Sequence, residues 1–171
     1  MKTVLVSFFL FIGLSVPNLN GQSQKLGNAE ISFEFVSTGV KGTMAGFKTE
    51  SKVDLDNLEN SFFKGSVASE TIDTNNGLRN WSLRSGKYFD VDDYPSISFE
   101  SNHLVFEGSD LIVKGNLSIK ETTKPITVKF IRKGSQLVGT TSLYSIDYGI
   151  KIKKKREDNL VKVKMIFDII P

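Results

Sequence analysis

The segment from Thr74 to Ser101 reads TNNGLRNWSLRSGKYFDVDDYPSISFES and interrupts a chain that otherwise has the pattern of β-strands. Apolar and aromatic residues crowd its middle, and the chain's only tryptophan, Trp81, lies among them. Pro95 forces the preceding residue into an extended conformation, so a strand resumes at Ser96. The segment therefore predicts a short helical connection between two groups of strands, placed as a lid or plug across one end of a β-structure.

The helix in this segment is expected to begin after Asn75 or Asn76, because a short side-chain oxygen accepts hydrogen bonds from the first free N–H groups. Leu78 and Trp81 are three residues apart and fall on one helical face. We expect that face to point toward the ligand end of the structure. It leaves the two arginines of the segment free to reach water or a polar group, namely Arg79 and Arg84.

Period-two alternation of apolar and polar residues dominates the rest of the chain, and it is typical of half-buried strands. Ile31, Phe33 and Phe35, for example, alternate with polar neighbours. Apolar residues change phase within one predicted strand, 61–74, which indicates a β-bulge there. The predicted strands are 29–36, a glycine-interrupted run that ends near Asp56, 61–74, 96–107, 110–120, a strand that opens at Lys124-Pro125, 136–146 and 160–170.

About eight strands at hairpin spacing, with one helical insertion between the third and fourth, predict a mainly β domain. Eight antiparallel strands suit a closed barrel, whose interior holds a single small ligand. The alternation does not separate such a barrel from a two-sheet sandwich.

The first 21 residues have the features of a secretory signal peptide: Lys2, an apolar core from Val4 to Val16, and Pro17. Cleavage is expected near Gly21/Gln22, which leaves a domain of residues 22–171 in the periplasm or outside the cell. The alternative is an N-terminal membrane anchor, although thirteen apolar residues are fewer than the ~20 that span a bilayer. The sequence has no cysteine, which excludes a lipidated cysteine, disulfides and cysteine zinc sites.

The charge of the chain argues against nucleic acid as a partner, because the net charge is only +3 and falls further without Lys2. The densest basic run is Lys151–Arg156. It is interpreted either as a solvated loop or as a basic rim for an anionic head group or a transient contact with a membrane surface.

Catalytic and metal-binding patterns are missing from the sequence. His103 is the single histidine, so neither a Ser-His-Asp triad with a spare base nor a multi-histidine metal site is available. Three aspartates at 90, 92 and 93 lack the spacing of a calcium loop. We therefore predict no catalytic residue, no metal and no cofactor.

Several short motifs occur in an order that resembles the YceI-like family. They are Ile72-Asp73-Thr74, Arg79-Asn80, Leu83-Arg84-Ser85, Tyr88-Phe89-Asp90-Val91, Tyr94-Pro95-x-Ile97-x-Phe99-x-Ser101, Gly115-x-Leu117-Ser118-Ile119, Thr123-Lys124-Pro125-Ile126 and Asp147-Tyr148-Gly149-Ile150. The resemblance implies a secreted bacterial lipid-binding protein with a lipocalin-like barrel, whose interior takes a long isoprenoid or fatty chain. The chain departs from the family at Asn80, Ser82 and Ser145, where an acidic residue, a histidine and an arginine are common. These departures concern recognition of the head group.

Together, the alternation and the resemblance predict the residues that bind the lipid. The apolar candidates are Phe33, Phe35, Trp81, Phe89, Phe99, Leu117, Val163, Met165 and Phe167, and the head-group candidates are Arg79 and Arg84. The alternatives are aromatic residues that only fill a core, a barrel enzyme acting on an isoprenoid or quinone-like substrate, and a secreted interaction or stress protein with an incidental pocket. The identity of the lipid and the formation of a homodimer stay open.

Overall fold

The computed structural model describes residues 24–170, so the expected signal segment lies outside the described residues. Ten strands and one α-helix make up most of this region, and the prediction of a mainly β fold is confirmed. The elements are β1 (Gln24–Phe35), β2 (Val40–Met44), β3 (Lys48–Thr49), β4 (Lys52–Val53), β5 (Lys64–Ala68), α1 (Gly77–Arg84), β6 (Ser96–Glu107), β7 (Asp110–Ile119), β8 (Thr122–Lys133), β9 (Gln136–Tyr144) and β10 (Leu160–Ile170).

The strands form one antiparallel sheet in the order β2-β1-β10-β9-β8-β7-β6-β5-β3. The sheet curls back on itself, because β3 pairs with β5 while β4, two residues later, pairs with the start of β1. The N–H of Lys52 also donates to the carbonyl of Phe62 at 3.0 Å, in the segment that leads into β5. The fold is thus a lipocalin-like barrel made of one curled sheet, and the two-sheet sandwich is not what the chain adopts.

Several predicted strand boundaries were wrong, among them the start of β8, which lies at Thr122 rather than at Lys124-Pro125. β1 begins at Gln24 rather than Ala29, because its first residues pair with Val53 and Lys52. The run that was expected to end near Asp56 is divided into β2, β3 and β4. The strand expected over 61–74 ends at Ala68, and a 3-10 turn over Ser69–Thr71 accounts for the change of phase that had suggested a bulge. The strand expected to reach Ile146 ends at Tyr144, and another 3-10 turn follows over Ser145–Tyr148.

The directions of the strands place four connections at one end of the barrel. They are 36–39, 69–95, 120–121 and 145–159, and we call this the capped end. The predicted helical insertion is among them and lies between β5 and β6. The opposite end carries the β6–β7 and β8–β9 hairpin turns, at Gly108 and Gly134, where φ angles of 63° and 61° favour glycine.

Two clusters of buried apolar side chains pack inside the barrel. The cluster toward the opposite end includes Leu111, Val113, Leu137 and Phe167. The cluster at the capped end joins strand residues such as Leu117 to residues of the capping connections, and half-buried Phe99 packs against both. The connection 69–95, which we call the capping segment, is therefore part of the hydrophobic interior.

Candidate functional site

The interior of the barrel contains an apolar cavity of about 180 Å³. Inward-facing side chains of β1, β6, β7, β8 and β10 supply most of its wall, as the alternation predicted. Eight of the nine predicted apolar site residues line it: Phe33, Phe35, Phe89, Phe99, Leu117, Val163, Met165 and Phe167.

The sequence interpretation missed several other lining residues. Phe47, Phe63, Ile126 and Phe130 also contribute to the wall. Ile126 and Phe130 lie on the alternating face of β8, so the same signal could have identified them. Phe47 lies between β2 and β3, outside any strand, and its inward position could not be read from alternation.

Phenylalanine rings lie along the wall of the cavity, because glycines on neighbouring strands leave space for them. A Cβ atom on Gly42 would be 2.5 Å from Cζ of Phe33, and one on Gly115 would be 2.6 Å from Cζ of Phe99. Such a Cβ atom would also be 2.5 Å from the backbone oxygen of Asp73 and 2.4 Å from that of Glu100, respectively, so larger side chains here would displace both the rings and the backbone. The glycines thus help to keep the middle of the barrel open.

The capping segment closes one end of the cavity through Leu83 and Phe89. Both are buried, and they pack in the same cluster as Ile72, Tyr148 and Ile150. Phe89 also lines the cavity. Burial raises the pKa of Tyr148 to about 12, since desolvation disfavours the phenolate. The predicted covering role of this segment therefore rests on Leu83 and Phe89.

The expected orientation of α1 was wrong. Leu78 and Trp81 are 77% and 71% exposed, and neither lines the cavity. The inner face of the helix instead runs through Asn80 and Leu83, which are also three residues apart.

Asn80 turns inward because its side chain completes the backbone of the preceding connection. Its Oδ1 accepts hydrogen bonds from the N–H and the hydroxyl of Thr74 at 2.9 and 2.7 Å. Its Nδ2 donates to Asp73 at 2.8 Å. These bonds determine which face of α1 points inward. They cannot be predicted from the pattern of apolar residues in the sequence.

The structure brings neither head-group candidate to the cavity. Arg79 is exposed, as expected. Arg84 was expected to reach water, but its Nη2 donates to the carbonyl of Ile72 at 3.1 Å. Within residues 24–170 its Nε is buried without a hydrogen-bond partner. Arg84 thus ties α1 to the barrel.

Two of the hydroxyl side chains at the cavity wall bond to the backbone. The hydroxyl of Ser145 donates to the carbonyl of Ile150 at 2.8 Å, and that of Thr141 donates to Thr127 at 2.7 Å. Residues 24–170 contain no group of three or more His, Cys, Asp or Glu side chains placed to hold a metal ion. The wall thus offers apolar contact and has little capacity for polar recognition.

The basic run Lys151–Arg156 lies in the 145–159 connection and is held in place at two points. Asn159, which has no exposed surface, accepts hydrogen bonds from the N–H groups of Ile152 and Lys153 and donates to the carbonyls of Lys153 and Lys155. Arg156 binds Asp147 through two hydrogen bonds of 2.8 and 2.5 Å. The run is therefore an ordered loop at the capped end.

Arg156 also determines the ionisation of Asp147. Its hydrogen bonds hold the pKa of the Asp147 carboxyl below the ordinary value. The guanidinium carbon lies 3.8 Å from the centre of the Tyr144 ring, close enough for a cation–π contact. The arginine is thus engaged on two sides within the protein.

The family model of the YceI-like domain matches residues 24–169, nearly the whole described chain. The chain belongs to the YceI-like domain family. The resemblance drawn from the motifs is thereby confirmed. A UPF0312 protein of Vibrio cholerae serotype O1 is 29% identical over 171 residues, which cover 89% of this chain and 90% of that protein. A UPF0312 protein of Pseudomonas aeruginosa is 31% identical over 99 residues, 52% of each chain.

Several solved structures share this fold at low sequence identity. BcnA of Burkholderia cenocepacia has a TM-score of 0.69 at 17% identity, with 84% of this chain and 96% of that chain covered. The YCEI protein of Campylobacter jejuni has a TM-score of 0.64 at 13% identity, with 96% and 97% covered. A polyisoprenoid-binding domain of Saccharophagus degradans has a TM-score of 0.55 at 10% identity, with 86% and 97% covered. Similarity at this level establishes the barrel and no more.

Proposed function

We propose that this YceI-like protein binds the long apolar chain of a lipid, an isoprenoid or a fatty chain, in the cavity of its barrel. The observation that carries the proposal is the wall of the cavity, which is almost entirely aliphatic and aromatic. The similar domain of Saccharophagus degradans is described as polyisoprenoid-binding, which supports the same class of ligand here.

The size of the cavity limits how much of a chain it encloses. Its volume of about 180 Å³ is smaller than the ~300–1,000 Å³ of typical small-molecule pockets. A long lipid therefore inserts part of its chain, or the surrounding side chains move to admit more. Burial of about ten carbons at ~0.8 kcal/mol each gives roughly 8 kcal/mol before ordering costs, which corresponds to an affinity on the order of micromolar.

The proposed role is that of a carrier, a store or a stress protein in the periplasm or outside the cell. It combines the lipid site with the signal-like segment 1–21 and a mature domain of residues 22–171. Mature protein that begins near Gln22 in the soluble fraction would support export. Retention of Met1 in the membrane fraction would contradict it.

We propose that the protein binds the lipid without converting it chemically. Two of the wall's hydroxyls, those of Ser145 and Thr141, donate to backbone carbonyls and are not poised to attack a substrate. An enzyme acting on an isoprenoid or quinone-like substrate would need an acid, a base or a cofactor at the cavity. Incubation with the bound lipid, followed by mass analysis of the products, distinguishes the two functions, because a binding protein returns the lipid unchanged.

Native mass spectrometry of protein purified from its own periplasm tests the binding directly, and a lipid-sized mass increase is expected. The matched variants are Val163→Trp and Lys164→Trp, on adjacent residues of β10. Val163 lines the cavity, whereas Lys164 is exposed. Val163→Trp should fill the site and remove the lipid, and Lys164→Trp should keep it. Equal lipid content in both folded variants would overturn the proposal.

A further inference from the structure

Helix α1 displays two large apolar side chains on the outside of the capped end. Leu78 and Trp81 are 77% and 71% exposed, whereas the next most exposed large hydrophobic among residues 24–170, Ile170, is 48% exposed. Their spacing of three places them side by side on one helical face. A tryptophan and a leucine exposed together are costly in water, and such pairs mark contact surfaces.

The outward orientation of this face is fixed by the rest of the helix. The Asn76 side chain caps the first turn by accepting from the N–H of Arg79 at 2.9 Å. Asn80 is bound to Thr74 and Asp73, and Leu83 is buried in the interior. Leu78 and Trp81 could turn inward only if these contacts broke. The helix therefore presents the pair outward as a stable feature.

The charged residues of α1 are both basic, Arg79 and Arg84, whereas acidic residues follow later in the same connection, at Asp90, Asp92 and Asp93. Arg79 and Lys87 are exposed in the same segment, and no acidic residue occurs between Asp73 and Asp90. The loop 151–156 lies at the same end, where its Ile152 packs against the cluster that holds Leu83. Its four lysines form no ion pair within the described part of the chain: Lys151, Lys153, Lys154 and Lys155.

We propose that the exposed face of α1 docks on the surface of a lipid bilayer that contains anionic lipids, with the lysines of loop 151–156 as electrostatic support. Tryptophan favours the membrane–water interface, and basic residues near anionic head groups add attraction. No helix among residues 24–170 is both long and apolar enough to cross a membrane. Two side chains cover far less than the ~800 Å² per partner of a stable protein interface, which favours a membrane over a protein as the occupant.

The docking proposal rests on the proposed function. Docking brings the capped end of the lipid site to the membrane from which a lipid would come. Phe89, in the segment that carries α1, is also a wall of the cavity. When this segment contacts the bilayer, only the capping segment lies between the cavity and the membrane that supplies its ligand.

The test measures binding of the full mature protein to vesicles of phosphatidylcholine alone and of an equimolar mixture with phosphatidylglycerol. The protein should sediment with the anionic vesicles, and Trp81 emission should shift to the blue, since this tryptophan is the chain's only one. Leu78→Ser with Trp81→Ser should weaken binding about tenfold or more. Phe106→Ser, at another exposed aromatic on β6 near the opposite end, is the matched control and should bind as wild type.

Charge reversal supplies a second, independent comparison. Lys153→Glu with Lys154→Glu should weaken binding to anionic vesicles, whereas Lys162→Glu with Lys164→Glu on the outer face of β10 should weaken it less. Raised salt should also weaken binding to anionic vesicles, as the two substitutions Lys153→Glu and Lys154→Glu do.

Three results would overturn the docking proposal: unshifted Trp81 emission, equal vesicle binding by the Leu78/Trp81 double variant, or self-association that depends on Trp81, which would make a second copy the occupant. Native mass spectrometry of the Leu78/Trp81 double variant distinguishes failure of the docking proposal from failure of the proposed lipid site. Retained lipid without vesicle binding refutes only the docking. Vesicle binding by a wild-type protein that never carries lipid refutes only the cavity function.

Discussion

The ring of Phe130 lies over Gly139 on the neighbouring strand, so closely that a Cβ atom on Gly139 would be 2.5 Å from the ring's Cε1. The two residues are direct cross-strand partners of β8 and β9. Phe33 and Gly42 form the same kind of pair between β1 and β2. The large number of phenylalanines and the persistence of a cavity are thus compatible, because rings that lie along the wall do not occupy the centre.

Replacement of Gly139 by alanine should force Phe130 away from the wall. All three nearest atoms belong to the Phe130 ring, so the ring must move toward the cavity and its contacts with Phe63 and Phe167 must change. Overpacking of this kind costs about 1–3 kcal/mol. Urea unfolding should show that loss, and lipid content by native mass spectrometry should fall with it.

Gly77→Ala is the control for that substitution. A Cβ atom on Gly77 has open space around it, and the residue begins α1. Alanine there should leave stability unchanged or raise it by up to about 1 kcal/mol. Equal destabilisation by Gly139→Ala and Gly77→Ala would show that the position of the Phe130 ring does not require glycine at residue 139.

Phe99→Ala tests whether the middle of the barrel is a ligand site or a packed core. A fully packed phenylalanine costs about 3–5 kcal/mol on truncation. Phe99 is half-buried and faces existing empty space, so the loss of unfolding free energy should be at the low end of that range or below. Leu111→Ala, at a 2% exposed residue that does not line the cavity, provides the comparison for a packed site. A loss of 4 kcal/mol or more (about the upper half of the core range) at Phe99 in lipid-free protein would indicate core packing.

The barrel could be predicted from the sequence because alternation is a property of each strand alone. β6 and β10 have the predicted ends, Ser96–Glu107 and Leu160–Ile170, since each is long and bounded by turn residues. β3 and β4 could not be found in this way. They are two residues long, and pairing with β5 and β1 creates them, so they exist only once the sheet has closed.

The helix shows where pattern reasoning fails. Spacing by three suggested that Leu78 and Trp81 face inward, and the same spacing holds for Asn80 and Leu83. The choice between the two faces was made by the hydrogen bonds of Asn80 to Thr74 and Asp73. An amide side chain counts as polar in any periodicity argument, although here it is part of the inner face.

The lining of the cavity could be predicted where it comes from long strands. Val163 and Phe167 were identified by their parity on β10. The arginine candidates had no such support, because a positive charge near an apolar segment does not reveal which acceptor it will meet. For Arg84 that acceptor is the carbonyl of Ile72.

Asn159 should be the most sensitive polar residue of the basic loop. It has no exposed surface and makes four hydrogen bonds with the backbone of residues 152–155. Asn159→Ala leaves those groups unpaired, which costs about 1–3 kcal/mol for each one that water cannot reach. Hydrogen exchange should accelerate at the amides of Ile152 and Lys153.

Asn102→Ala is the control for Asn159, since Asn102 is exposed where the register of β6 shifts. That variant should be nearly neutral. Unchanged exchange at Ile152 and Lys153 in Asn159→Ala would show that the loop is held by other contacts.

The pair formed by Asp147 and Arg156 should make stability depend on acid pH. The pKa of Asp147 is lowered by the hydrogen bonds from Arg156, so its contribution is present above the ordinary pKa of 3.8 and is lost as pH falls through the folded value. Because Arg156 is largely exposed, the contribution should be below about 1 kcal/mol. The urea midpoint should fall less between pH 7 and pH 3 (about the range of carboxylate titration) in Asp147→Asn than in wild type.

Tyr148 should make the protein sensitive to alkali. It is 2% exposed, and burial raises the pKa of its phenol to about 12 from 10.0. Since the unfolded chain ionises at the lower pH, the stability linked to the neutral phenol is present below pH 10 and is lost as pH rises toward about 12. The loss amounts to at most about 3 kcal/mol. Ultraviolet titration of wild type should include a phenol with a pKa of about 12 that is missing from Tyr148→Phe, and the stability of this variant should also decline less above pH 10. Tyr88→Phe controls for the loss of a hydroxyl in the same cluster. Tyr148→Phe could instead keep both the phenol with a pKa of about 12 and the full loss of stability at alkaline pH. Burial of Tyr148 would then cause neither effect, and the capped end of the barrel would be open to water.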